Sequence, residues 1–211
     1  MEKTIIDFVE SEHVYLVNGV PKPSVTTILH PITATVYGSI NPCVVEKARR
    51  RGEMVHQTTQ LIDYGDRPMI DGEILPYIKG YLAFLMDYNP EWLGIEERVY
   101  DEYADVCGTV DRHGLIGGRY TVLDIKAQDA PSVANRISVC AQTAEYARAI
   151  MQHEAKRAAL YLSSDGTYNL FDCEKYEKKR EFMGIMLFDK YCELYKEMER
   201  IKSNGKRNRR I

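Results

Sequence analysis

The chain has 211 residues, 45% of them hydrophobic, enough for one substantial core with short extensions and short for two full domains. Its formal charge of -3, from 28 Lys and Arg against 31 Asp and Glu, excludes a global basic field as the means of attracting a polyanion. No run approaches the roughly 18 apolar residues of a membrane span, and the opening MEKTIIDFVESE lacks the basic-then-apolar order of a secretory signal, so a cytoplasmic chain without a membrane partner is expected.

The segment HVYLVNGV alternates Val14 and Leu16 before a turn at Asn18 and Gly19, which predicts a hairpin over residues 13–20. A short helix follows with Ser24 as its cap. From Pro42 to Asp63, Ala48, Gly52, Val55, Thr59 and Ile62 recur at helical spacing as one buried stripe, and His56 lies beside it. A second helix is predicted from Pro76 to Tyr88, ended by Asn89-Pro90.

Three strands come next, Ile95 to Asp101, Val106 to Arg112 and Arg119 to Lys126, the last two joined by a turn containing Gly114, Gly117 and Gly118. A helix over residues 134–151 precedes Ala158 to Leu162 and Tyr168 to Phe171, which flank an Asp165-Gly166 turn. A long charged helix over 174–203 closes the domain, with Phe182, Ile185, Phe188, Cys192, Tyr195 and Met198 inward. Residues 1–203 therefore read as one domain and 204–211 as a disordered basic tail. Basic clusters stand at Lys47, Arg49, Arg50 and Arg51, at Lys178, Lys179 and Arg180, and in that tail at Lys206, Arg207, Arg209 and Arg210, each also readable as a solvated face or frayed end.

Chemistry concentrates in TVLDIK. Strand side chains alternate, so Asp124 and Lys126 project to one face while Leu123 and Ile125 take the other. Asp111 ends the preceding strand, and antiparallel pairing brings its carboxylate toward Asp124. Two carboxylates placed together repel unless a cation separates them, and oxygen ligands favour a hard ion such as magnesium or manganese. An Asp and a Lys on a strand also form an ordinary solvent-facing pair, so DIK alone decides nothing. The set in chain order carries the signal: His56, Glu96, GTVD, LDIK, then Gln142 and Tyr146.

With those residues in place, the chain resembles the RecB-type branch of the PD-(D/E)xK nucleases, in particular small phage and prophage exonucleases. The resemblance spans His13 to Tyr146 through HVYLVNGVPKPSVTTIL, RGEMVH, EERVYDEYADVCGTVDR, TVLDIKA and QTAEY, with Val110 in place of the family's proline. It implies an α/β fold, a restriction-endonuclease-like core with a mixed central sheet flanked by helices. It implies a metal-dependent DNA nuclease that hydrolyses phosphodiesters, an exonuclease of phage recombination; a structure-specific endonuclease and a non-cutting DNA-binding module remain alternatives.

The resemblance further implies that His56, Asp111, Asp124 and the carbonyl of Ile125 bind Mg2+ or Mn2+, that Lys126 is the catalytic lysine, and that Glu96 or else Glu97 is the upstream acid. For His56 the alternative is a satisfied core residue. Gln142 and Tyr146, one turn apart, become candidates to touch DNA, with core packing as the rival; Arg136 and Arg51 are candidate phosphate contacts. The implied partners are DNA and a phage single-strand annealing protein, and ring-forming relatives leave an oligomer open. Five scattered cysteines without a CxxC pair suit reduced thiols, and their spacing lacks the late set that an iron–sulfur cluster needs.

Overall fold

The computed structural model describes residues 4–10, 12, 14–38 and 40–208. His13, where the first hairpin is expected to open, and Arg209 and Arg210 of the basic tail lie outside the described residues. In chain order the elements are β1 (Ile6–Val9), β2 (Val14–Val17), β3 (Val20–Lys22), α1 (Val25–Tyr37), α2 (Pro42–Asp63), α3 (Leu75–Tyr88), β4 (Glu91–Asp101), β5 (Val106–Ile116), β6 (Arg119–Ala127), α4 (Val133–Ala149), β7 (Lys156–Leu162), β8 (Tyr168–Asp172), α5 (Cys173–Arg180) and α6 (Gly184–Asn208). The protein is α/β, with a mixed five-stranded sheet in the order β4-β5-β6-β7-β8 flanked by helices, and a separate three-stranded sheet β1-β2-β3. Among the described residues no helix is long and apolar enough to cross a membrane.

Local chemistry explains most of these boundaries. Asn18 and Gly19 both take positive φ, 49° and 80°, the pair a tight β2–β3 turn requires. Ser24 Oγ accepts the Thr27 N–H at 3.0 Å and starts α1. Asn41 caps α2 ahead of Pro42, and Asn89 in the left-handed region ends α3. All sheet pairings are antiparallel except β6 with β7. A parallel pair needs a crossover, and α4 supplies it across one face of the sheet. Below α4 lies an apolar cluster with α1, α6 and residues such as Val110 and Val122. The other face packs Leu123, Ile125 and Leu160 against α2 and α3.

Several expectations are corrected. The buried stripe of α2 is real only in its second half, since Val55 and Thr59 are buried but Ala48 is exposed and Gly52 half-buried. Gly114 belongs to β5 rather than to the turn, which Gly117 and Gly118 make with φ of 58° and 74°. Asp111 consequently lies inside β5 rather than at its end. The closing helix is two helices: α5 stops at Glu181, whose φ is 55°, and α6 starts at Gly184. Helix α6 then continues through Asn208, past the expected tail boundary, and Met198 is exposed.

Gly114 marks a close crossing of strands. A Cβ there would stand 2.1 Å from the Glu91 carbonyl oxygen and 2.9 Å from Trp92 Cα, backbone atoms that cannot rotate away. Gly114→Ala is therefore expected to destabilise the protein by about 1–3 kcal/mol, read from the midpoint of urea unfolding.

Candidate active site

Leu123 and Ile125 enter the cluster under α2 and α3, so alternation turns Asp124 and Lys126 to the opposite face. There their register partners on β7 are Ala159 and Tyr161. Pairing between β5 and β6 runs from Ile116↔Arg119 to Arg112↔Leu123 and stops. Beyond it, the Ile125 N–H donates to Asp111 Oδ2 at 2.6 Å. The ladder opens beside the two acids, and a side-chain carboxylate takes the place of a strand carbonyl.

His56 on α2 and Glu96 on β4 close on Asp111 from the other side. His56 Nδ1 lies 3.4 Å from Glu96 Oε1 and 3.7 Å from Asp111 Oδ1. One ligand atom from each of His56, Glu96 and Asp111 lies within 4.8 Å of the others, a convergence able to hold a metal ion. Glu96 reaches this position with a φ of 49°, between the register pairs Ile95↔Arg112 and Glu97↔Val110. A non-glycine residue in that region costs on the order of 1–3 kcal/mol and persists only where its surroundings hold it. Glu97, the alternative, is elsewhere: its Oε2 bonds His113 Nε2 at 2.6 Å.

Arg112 holds Glu96. Its guanidinium is 0% exposed and reaches Asp63 Oδ2 at 2.6 Å, Glu96 Oε1 at 3.0 Å, the Asp111 carbonyl oxygen at 2.5 Å and Thr59 Oγ1 at 3.2 Å. The Tyr81 hydroxyl donates to the same Asp63 oxygen at 2.6 Å. Sequence reasoning missed Arg112, Asp63 and Tyr81 entirely. The available signal was Arg112 itself, a cation in a strand otherwise built to be buried.

Asp124 is 1% exposed and does not belong to the converging triad. Lys126 Nζ lies 2.9 Å from both of its oxygens and donates to Oδ1. Burial raises the Asp124 pKa to about 6, with Lys126 opposing and Asp111 adding to the rise. Asp111 is likewise raised, first by burial. Burial works against protonation of His56, yet Asp111 and Glu96 outweigh it and push the imidazole up to about 9. The donor set of one imidazole and two carboxylates, converging within 4.8 Å, fits a divalent cation of the hard class. The residues that converge so as to hold it are His56, Glu96 and Asp111.

The remaining expected residues divide. Gln142 Nε2 donates to Tyr146 Oη at 3.3 Å, and both side chains are buried. The Tyr146 ring rests on Gly108, where a Cβ would come within 2.5 Å of Cε1. Burial of both favours core packing, the rival reading of this pair, and Gln142 also lines a cavity. Arg51 lies 5.3 Å over the Tyr77 ring and lines a cavity of about 400 Å3 with His56, Ile125 and Lys126. Arg136 lies 5.9 Å over the Phe171 ring and lines neither cavity that meets Lys126.

No protein-family model and no curated protein matches this chain.

Two outcomes are expected. Arg112→Leu leaves Asp63 buried without its cation and should cost about 3–5 kcal/mol in urea unfolding, with part recovered in an Asp63→Asn, Arg112→Leu double variant. Second, Asp124 and His56 both have raised pKa values, so each favours the fold when protonated. The Asp124 contribution is lost as pH rises through about 6 and that of His56 through about 9. Metal-free protein should lose thermal stability over that range, and added Mn2+ should raise Tm more at about pH 8 than at about pH 5. Asp124→Asn should remove the lower step; a Mn2+ shift independent of pH would contradict the assignment.

Proposed function

We propose that this protein is a divalent-metal-dependent nuclease that hydrolyses phosphodiester bonds in DNA, on a restriction-endonuclease-like core. The observation that carries the reading is the opened β5–β6 ladder, where His56, Glu96 and Asp111 converge and Asp124 stands with Lys126. A bound Mg2+ or Mn2+ would polarise a phosphoryl oxygen and acidify a water. His56, Glu96 and Asp111, which converge, would hold it, with Asp124 beside them. The Ile125 carbonyl leaves the strand on the same edge as its N–H, which bonds Asp111, and would add a neutral oxygen.

Lys126 is paired on one side to Asp124 and opens on the other to the cavity along α2. Its ammonium orients the attacking water and stabilises negative charge as the new P–O bond forms and the scissile one breaks. Arg51 lines the same cavity and receives a neighbouring phosphate. Action from DNA ends, in phage-type recombination beside a single-strand annealing protein, belongs to this proposal through the family resemblance.

Digestion of end-labelled linear duplex with Mg2+ or Mn2+ tests the reading. Lys126→Ala is expected to lower the rate by about 10²–10³-fold, and Asp111→Asn by at least as much. Resistance of closed circular DNA identifies an exonuclease, and its cleavage an endonuclease. Undiminished activity in both variants sinks the site.

A further inference from the structure

Lys126 separates two cavities. One is the opening along α2. The other, of about 200 Å3, lies on the far side of Lys126 between α1, α4 and β7. Its walls include Leu29, Val139 and Tyr161, and its polar groups include Ser138 and Gln142. A cavity of this size is smaller than those that hold drug-sized ligands and suits one planar heterocycle. A slot with apolar wall area and several amides and hydroxyls, Thr26, Gln128 and Asn135 besides Ser138 and Gln142, is the chemistry that recognises a base by its faces and edge, whereas a phosphate or a free sugar would gain little from the apolar walls.

Tyr161 supplies an independent sign of a ligand. Its side chain is 3% exposed, it lines this cavity, and its hydroxyl has no hydrogen-bond partner among the described residues. A buried phenol normally finds a partner, so this wall of the slot carries an unmet donor and acceptor. Tyr161 is also the register partner of Lys126 across the parallel β6–β7 pair, with its side chain on the same face. A base against Tyr161 therefore has its own phosphate within reach of Lys126.

We infer that the cavity bounded by Leu29, Ser138, Val139 and Tyr161 is a subsite for a single unpaired nucleobase of the nucleotide whose phosphate meets Lys126. The inference rests on the proposed nuclease reading and adds the substrate class: a single strand, or a duplex end whose last pair has opened. A paired base cannot use the slot, because its hydrogen-bonding edge and one neighbour in the stack remain occupied by the duplex.

Equilibrium binding on the full chain with Mn2+ tests the slot apart from cutting. The probes are deoxynucleoside 5′-monophosphates and 2-deoxyribose 5-phosphate, which lacks the base. The nucleotides are expected to bind about tenfold tighter than the sugar phosphate. Ser138→Leu, which fills the slot, should reduce that ratio toward one, and Tyr161→Phe, which keeps the ring, should reduce it several-fold; far-UV circular dichroism checks that both variants fold. In digestion, a terminal abasic residue should slow cleavage in the natural protein and make little difference in Ser138→Leu. Equal binding of the two probes by the natural protein, or a ratio unchanged in both variants, overturns the subsite. Base-dependent binding without DNA cleavage would sustain the slot and remove the nuclease reading alone. Cleavage indifferent to the terminal base would sustain the nuclease and remove the slot.

Discussion

A backbone N–H inside a sheet cannot be left without an acceptor at acceptable cost, and at Ile125 the acceptor is Asp111 Oδ2 rather than a strand carbonyl. That one substitution decides the geometry around it. It commits one oxygen of Asp111 to the backbone and leaves the other facing His56, so the carboxylate cannot rotate away from the cluster. It lets β5 and β6 part where Asp124 and Lys126 stand, while β6 stays anchored to β7 by parallel pairing through Ala127. The site thus owes its opening to a missing rung in the sheet, while the strand that bears it remains fixed on its other edge.

The fold offsets the strain of this arrangement through Arg112. Its guanidinium is fully buried, and desolvation alone would make it unfavourable. Asp63, Glu96, the Asp111 carbonyl and Thr59 all accept from it, so the charge is neutralised and each of its three nitrogens has an acceptor. The same contact holds Glu96 at positive φ. On α2, His56, Thr59 and Asp63 are spaced by three and four residues, which places them along one helix face. One end of that face meets the acids directly and the other end holds the cation that positions Glu96, so the docking of α2 on the sheet and the assembly of the site are one event.

What the sequence made legible follows period and turn chemistry. The alternation in TVLDIK puts Asp124 and Lys126 on one face, and the structure has Lys126 against Asp124. Pro42 and Asp63 bound α2 as expected, because a proline after an asparagine cap is a local signal. The convergence of His56, Glu96 and Asp111 was legible only through the resemblance, since their contacts join three separate elements. Arg112 and Asp63 escaped because each charge is tolerated inside only by the other, a pairing that no local window contains. For Gln142 and Tyr146 the choice between DNA contact and core packing was not legible for a related reason: helical spacing says that they are neighbours, but not whether the face they share is covered. The break at Glu181 was hidden by a charged, helix-favouring run on both sides of it.

Helix α4 ties these levels together. As the crossover of the parallel pair it is covered along most of its length, and it places Tyr146 under Gly108 and Asp111 while presenting Ser138, Val139 and Gln142 to the cavity beside Lys126. Its far end is fixed by Arg148, which reaches Asp101 on β4 at 2.6 Å, Glu145 at 2.5 Å and Asp189 on α6 at 2.8 Å. The walls of the cavity, α1, α4 and Tyr161 on β7, are therefore set by packed secondary structure. The separation of Tyr161 from Lys126 is set by the spacing of adjacent strands. Whatever occupies that cavity is held at a distance from the acids that the core dictates, so a change in reach would require a shift of α4 over the sheet rather than the movement of a loop.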